Sequence, residues 1–252
     1  MTEWADTVTA WSLPPVDDVG YLSSAEMLTW NDDHLHEVIE RMRQTRYTGW
    51  RNHDGLWRRY MALDENRYGQ RVLEYGCGVG MEAAEIARTG AIVSIADLSS
   101  ANVELAAHVM SLETGRGPKN MYKITEEWPY IHALTDTYDE IHCCGVLHHI
   151  RKAHLTMEMF DLMLAPDGKI RLMVYSDEGW RIATGTEPPR EPVEEHEKFD
   201  QFVRFFDGTG TYATWYDREK LDRRFGDLFT ITDFDYLTPD RRYCAAILTR
   251  KD

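Results

Sequence analysis

The stretch Val72-Leu73-Glu74-Tyr75-Gly76-Cys77-Gly78-Val79-Gly80 decides how this chain is read. A short apolar strand carries an acidic residue near its end, and a glycine-rich turn follows. The turn opens into Met81-Glu82-Ala83-Ala84-Glu85-Ile86-Ala87, a run of good helix formers. Such a turn brings bare backbone close to a ligand at a helix N-terminus. The glycine spacing is G-x-G-x-G. The dinucleotide fingerprint G-x-G-x-x-G needs glycine or alanine where Met81 stands. Glu74 also places a carboxylate where a pyrophosphate would be repelled. A ligand with an ammonium group and no phosphates suits the turn better.

Outward from this motif, strands and helices alternate, which is the pattern of a parallel sheet with helices on its faces. Arg71 to Tyr75 reads as the first strand, and Ala91 to Ala96 as the second, ending at Asp97. A helix over Ser99 to Met110 follows, capped by Ser99 or Ser100. Tyr138 to Cys144 is the next strand. Lys169 to Tyr175 is another, after the turn Pro166-Asp167-Gly168. Trp215 to Phe225 reads as a helix, and Phe229–Phe234 with Tyr243–Leu248 as a closing antiparallel hairpin. Residues 1–66 read as a helical, aromatic-rich N-terminal cap, with caps at Asn31-Asp32-Asp33 for a helix over His34 to Met42. Residues 67–252 form the main domain. Its insert at about 177–216, rich in proline and glutamate, is too long for an ordinary connection and is expected to be a lid or mobile insert. The expected fold class is α/β, a Rossmann-like parallel sheet with a C-terminal antiparallel hairpin and helices on both faces.

Composition narrows the function classes. The chain has 252 residues, 43% of them hydrophobic, enough for one large domain or two small ones. Its net charge is -15 at pH 7, which opposes a nucleic-acid partner. The cysteines Cys77, Cys143, Cys144 and Cys244 include no C-x-x-C pair, as expected of a reduced, cytoplasmic protein. The N-terminus is acidic and lacks a hydrophobic signal core. No apolar run approaches the roughly 20 residues needed to span a bilayer, so no membrane partner is expected.

Asp97 lies 17 positions after Gly80, near the roughly 20-residue spacing of the ribose-binding acid in nucleotide folds. A carboxylate there accepts both ribose hydroxyls at once. Its other use is to cap the helix that follows. At this point the chain resembles the class I S-adenosylmethionine-dependent methyltransferases, over about residues 72–175. The segments VLEYGCGVG, IADLSSANVELA, YDEIHCCGVLHHI and MLAPDGKIRLMVY carry the likeness, in the family's order. The small-molecule branch that includes ubiquinone and menaquinone biosynthesis methyltransferases is the most similar. S-adenosylmethionine, with an ammonium group and no phosphates, meets the requirement drawn from the turn.

The resemblance implies a role for each of several positions. Gly76, Cys77 and Gly78 line the methionyl part of the cofactor, and Glu74 answers its ammonium group. Asp97 binds the ribose, with Leu98 against the adenine. Ile124, Thr125 and Glu126 lie near the adenine, although Thr125-Glu126-Glu127-Trp128 departs from the family's usual aspartate and small residue. Cys144 and Gly145 sit beside the sulfonium. The reaction asks the protein to place a nucleophile in line with the S–CH3 bond and to exclude water. His148 and His149 are the candidate bases for an oxygen or protonated nitrogen acceptor. Otherwise they are ordinary helix residues, one buried and one exposed. No metal site is expected, since no H-E-x-x-H or comparable spacing occurs.

The expected partner is a small-molecule methyl acceptor. Trp30, Tyr47, Trp50, Trp57 and Tyr60 crowd the N-terminal region, and Tyr212, Trp215 and Tyr216 precede the last helix. These rings either hold a cationic amine by cation–π attraction or staple the N-terminal helices to the domain. Arg51, His53 and Arg58 nearby suit an acidic acceptor equally, so the acceptor's charge stays open. So do the choice between N and O and the oligomeric state. A protein or RNA methyltransferase, or a non-catalytic cofactor-binding protein, are the competing readings.

Overall fold

The computed structural model describes residues 3–16, 20–124, 136–206 and 211–251. Its centre is a seven-stranded sheet. In chain order the strands are β3 (Arg71–Tyr75), β4 (Ile92–Asp97), β5 (Met121–Lys123), β6 (Tyr138–Cys144), β7 (Leu164–Tyr175), β8 (Phe229–Tyr236) and β9 (Tyr243–Arg250). A two-stranded hairpin, β1 (Pro15–Val16) and β2 (Gly20–Tyr21), precedes them. The sheet order is β5-β4-β3-β6-β7-β9-β8. Strands β3 to β7 pair in parallel, and β9 pairs antiparallel with both β7 and β8. The expected Rossmann-like sheet with its C-terminal antiparallel hairpin is what the chain forms.

Helices cover both faces because the strands alternate between two cores. In β3, Val72 faces the core that holds Ala84 and Ile86 of α5 (Met81–Arg88) and Leu105 and Val109 of α6 (Ser100–Thr114). Leu73 and Tyr75 face the other core, with Met157 and Phe160 of α7 (Ala153–Met163) and Leu221 and Phe225 of α10 (Arg218–Phe225). That is the two-residue period of a strand buried on both sides.

The N-terminal region holds α1 (Glu3–Trp11), α2 (Ser24–Met27), α3 (Asp32–Tyr47) and α4 (Leu56–Tyr60) besides the small hairpin. Asn31 caps α3 by accepting the His34 N–H at 2.9 Å. Leu35, Val38, Ile39 and Met42 of α3 and Trp57 and Tyr60 of α4 share one continuous core with α5 and α6. Burying each such side chain contributes roughly 1.5–3 kcal/mol. Glu113 on α6 clamps α3 in place, accepting from Arg43 at 2.8 Å and facing His36 Nδ1 at 2.6 Å.

Residues 177–206 are not a bare loop. They form α8 (Asp177–Thr184) and α9 (Phe199–Phe206), joined through a short 3-10 turn. Trp180 and Phe202 pack 4.8 Å apart in a third core with Val193, Ala213 and Trp215. The helix expected from Trp215 begins only at Arg218. Asp217 caps it by accepting the Lys220 N–H at 2.6 Å, while Tyr216 is extended and bridges to Ser176.

Three glycines of the turn after β3 have positive φ: Gly76 (+83°), Gly78 (+49°) and Gly80 (+84°). Gly80 is required by packing as well. A Cβ there would lie 2.4 Å from Ala106 Cα, where α5 crosses α6. Gly80→Ala is therefore expected to destabilise the fold by about 2–4 kcal/mol, from left-handed backbone strain and overlap with fixed backbone. Urea unfolding checks this, and a loss below about 1 kcal/mol contradicts the close approach.

Candidate active site

Ligands of open α/β sheets bind outside the carboxyl ends of the strands, where strand order reverses. Here the chain runs outward from β3 through β4 to β5, then returns to β6 on the other side of β3. The glycine turn, Asp97, and the segment after β6 all meet at that switch point. The Gly76 and Cys77 N–H groups donate to the Ala96 carbonyl, at 2.8 and 3.1 Å, which pins the turn to β4. A Cβ on Gly76 would collide with Val146, 2.2 Å away, so the segment after β6 closes on the turn from the other side. A Cβ on Gly78 would meet nothing nearer than Pro14 Cβ at 3.9 Å. At Gly78, Pro14 of the N-terminal region therefore lies at ordinary contact distance over the turn.

Asp97 is 5% exposed, and its carboxylate is held from several sides. Oδ2 accepts the Gly78 N–H at 3.0 Å, and Oδ1 accepts the Ser99 N–H at 2.9 Å and the Asn102 amide at 3.0 Å. The Ser99 contact is the helix-start role that the sequence left open. Burial pushes this carboxyl up to about 6, against the opposing pull of the N–H groups of Ser99, Gly78 and Leu98 and of the Asn102 amide. Leu98 is half-buried and packs on the core beneath β4.

Glu74 shares Val72's face of the sheet. Glu74 is 1% exposed and lies against Met61, Leu63, Glu82, Ile86, His142 and Cys144, with no room for a water between them. Oε2 has no hydrogen-bond partner among the described residues, and His142 Nδ1 lies 4.0 Å from it. Burial, and then Glu82, push its carboxyl well above the usual range, opposed by Arg67 and Arg46. Below it lies a buried ionic network that the sequence reading missed. Glu140 accepts from Arg67 at 2.7 Å and from Arg171 at 2.8 and 2.9 Å, and faces His142 at 3.1 Å. Against the upward push of burial, the bonds from His142 and Arg171 hold Glu140 well below the carboxylate range. Breaking such a pair on one side leaves a lone buried charge.

Beyond β6, Cys144 is half-buried, with Sγ 3.0 Å from Met61 Sδ. Gly145 takes φ +74° and donates its N–H to the Met173 carbonyl at 2.9 Å. His148 and His149 stand on a 3-10 turn over Leu147–His149. His148 is fully buried, and neither ring nitrogen has a hydrogen-bond partner among the described residues. Its ring lies 3.7 Å from that of Tyr175 and 4.1 Å from that of His149. Burial, with a smaller effect from His149, pulls the imidazole well below its usual range. His149 is half-buried, with Nδ1 2.9 Å from the Tyr212 carbonyl and its ring 4.5 Å from Trp11.

The structure thus brings Gly76, Cys77, Gly78, Asp97, Leu98, Cys144, Gly145, His148 and His149 to one end of the sheet, while Glu74 is buried just below the turn. Thr125 and Glu126 lie outside the described residues. Among the described residues no three His, Cys, Asp or Glu side chains converge as a metal-binding set. Tyr175, missed from sequence, centres an aromatic wall: Phe206 stacks on it at 4.2 Å, and Tyr243 lies 5.9 Å away. Most of the aromatic rings singled out from sequence, though not Trp30, carry cations of the protein itself. Arg46 lies over Trp57, Arg58 over Tyr47, Arg59 over Tyr60, Arg151 over Tyr212 and Lys220 over Trp215.

Comparison with known proteins fits this geometry. The family described as "Methyltransferase domain" matches residues 41–228. The ubiquinone biosynthesis O-methyltransferase of Salmonella paratyphi A is 28% identical over 118 residues, which are 46% of this chain and 48% of that one. The chain spans about half the length of the curated relatives it matches. Two solved structures share the fold, both determined with S-adenosylhomocysteine. The N-methyltransferase NodS from Bradyrhizobium japonicum WM9 has a TM-score of 0.55 and 16% identity, over 91% of this chain and 97% of that one. The magnesium protoporphyrin IX methyltransferase ChlM from Synechocystis PCC 6803 has a TM-score of 0.57 and 20% identity, over 84% and 94%.

The burial of His148 gives a direct check. Its imidazole resonances are expected to stay flat as pH falls through the ordinary histidine range, in the NMR spectrum of the folded protein. An inflection near the ordinary histidine value contradicts the buried, unpartnered ring.

Proposed function

Because this chain belongs to the methyltransferase domain family, we propose that it is an S-adenosylmethionine-dependent methyltransferase acting on N or O of a small-molecule acceptor. The observation that carries the reading is the junction of Asp97 with the glycine turn. A buried carboxylate stands at the end of the second strand, against a glycine turn whose Gly78 N–H donates to it. A diol-bearing nucleoside suits that pair. The orphaned Oε2 of Glu74 beneath the turn suits an ammonium group better than a phosphate. The donor set therefore fits the cofactor in chemistry.

When bound, the cofactor supplies an activated methyl on a sulfonium. This chain's residues do the rest. Asp97 holds the ribose hydroxyls, Leu98 backs the adenine, and the backbone at Gly76, Cys77 and Gly78 admits the methionyl part, with Glu74 answering its charge. Thr125 and Glu126 belong to the adenine side in the same reading. Cys144 and Gly145 border the reacting centre. Tyr175, Phe206 and Tyr243 form an apolar wall that orients the acceptor and excludes water. His149, half-buried beside Trp11, is the first candidate to take a proton from an acceptor's O–H or N–H, and His148, neutral but made a weaker base by burial, is the alternative. The N-terminal region up to residue 66 and the 177–216 segment form the cover over this space. No helix among the described residues is long and apolar enough to cross a membrane. We place the protein in the cytoplasm, working on a small-molecule acceptor rather than on nucleic acid.

Asp97→Ala is expected to weaken S-adenosylhomocysteine binding at least about tenfold, or about 1.4 kcal/mol. Calorimetry with unchanged affinity removes Asp97 from the site. The raised carboxyl adds a pH signature. Its charge is costly when buried, so its contribution to stability is present at low pH and is lost as pH rises through about 6. Cofactor affinity runs the other way. It is expected to fall about tenfold per unit as pH drops below about 6, and Asp97→Asn is expected to flatten that slope. A wild-type slope that persists in the Asp97→Asn protein assigns the effect to another group. Transfer of labelled methyl to a panel of amines, phenols and carboxylates tests the activity. His148→Ala or His149→Ala is expected to slow turnover about 10²-fold or more with cofactor affinity kept. Full activity in both dismisses a histidine base.

A further inference from the structure

The carboxylate of Asp97 is already largely engaged. Two oxygens offer about four acceptor positions. Gly78, Ser99 and Asn102 take three. A ribose diol with two donors must therefore take over from one of these. Two of them are backbone N–H groups fixed by the turn and the helix start. The third, the Asn102 amide, is on a side chain and can turn.

Asn102 is 2% exposed and does more than touch Asp97. The second hydrogen of its amide donates to the Trp11 carbonyl at 2.8 Å, and its Oδ1 accepts from Ser24 Oγ at 2.6 Å. Both partners belong to the N-terminal region. Next to them, Ser12 Oγ donates to Ser99 Oγ at 3.0 Å. Pro14 stands over Gly78, and Trp11 packs its ring against His149, 4.5 Å away. The segment Trp11–Pro14 therefore crosses the crevice from the end of β4 to the turn after β6. It passes over the glycine turn on the way. Its fastenings on the β4 side are Asn102 and Ser99.

We propose that Asn102 is a positioning residue that latches this segment over the cofactor crevice. One amide holds both the Asp97 carboxylate and the Trp11 carbonyl, so cofactor exchange requires the segment to let go. The inference rests on the cofactor reading above, because it needs a ribose at Asp97. When the ribose takes the Oδ1 position, the freed Asn102 N–H turns to a ribose oxygen while the other stays on Trp11. The bound cofactor then becomes part of the latch.

Two measurements test this in the full chain. In the free protein, Asn102→Ala is expected to speed hydrogen exchange about tenfold at the Leu22 and Ser24 amides, which donate to Pro14 and Ser12 in the latched state. In stopped flow, S-adenosylhomocysteine is expected to leave Asn102→Ala at least about tenfold faster, with the association rate not lowered. Ser12→Ala cuts the neighbouring fastening without touching Asp97. It is expected to raise the dissociation rate severalfold, and it decides the matter if Asn102→Ala does not fold. Unchanged exchange together with an unchanged dissociation rate overturns the latch. A loss of affinity carried only by slower association overturns it too, since it marks a residue that shapes the crevice without closing it. Wild-type protein that takes up no S-adenosylhomocysteine overturns the cofactor reading and the gating role with it. The exchange result on the free protein then still decides whether Asn102 fastens the segment.

Discussion

A buried carboxylate shared among backbone and side-chain donors is the constraint on which this molecule turns. Asp97 joins four pieces of chain at one point: the end of β4, the glycine turn, the start of α6 and, through Asn102, the N-terminal segment. Taking a carboxylate out of water is expensive. Hydrogen bonds to a charged group return roughly 1.5–3 kcal/mol each. Here they do not fully offset burial, since the carboxyl still titrates near 6. An acid left so poised gains from a ligand that adds donors to it, and a ribose diol does that.

The rest of the fold divides between holding this point still and covering it. The sheet and its two cores fix the strand ends. The network of Arg67, Glu140, His142 and Arg171 lies inside that rigid part. Arg171 also donates to the Tyr60 carbonyl at 2.8 Å, which ties the end of α4 to β7. Above the strand ends the chain is built differently. Helices α8 and α9 rest on a small aromatic core around Trp180 and Phe202. The Trp11–Pro14 segment is fastened mainly by a few hydrogen bonds and one ring contact. Few buried apolar contacts and a handful of hydrogen bonds are the marks of elements that open at low cost.

The fold was legible where chemistry is local. The strand ending in Glu74-Tyr75 and the glycine turn announce a parallel sheet with a ligand crevice. The acid at position 97 and the hairpin at 229–248 could be read from spacing and alternation alone. The helix boundary near Trp215 was misplaced because aromatic residues suit either state. The better signal was Asp217, a capping residue three positions before Lys220. The 177–216 segment looked like loop because of its prolines, yet Phe199, Phe202 and Phe206 already showed a helical stripe. Asn102 was invisible for a different reason. Its partner Trp11 lies 91 positions away, and no periodicity links them. The burial of Glu140, His142 and Arg171 was hidden likewise, since alternating charges in a strand look like a solvated face.

The most direct measurement is a crystal structure of the protein with S-adenosylhomocysteine. The ribose hydroxyls are expected on the Asp97 carboxylate, the adenine beside Leu98 and the homocysteine end along the Gly76–Gly78 turn. Density for the ligand anywhere else, or a ribose with no contact to Asp97 in a crystal where the ligand is well ordered, contradicts this placement.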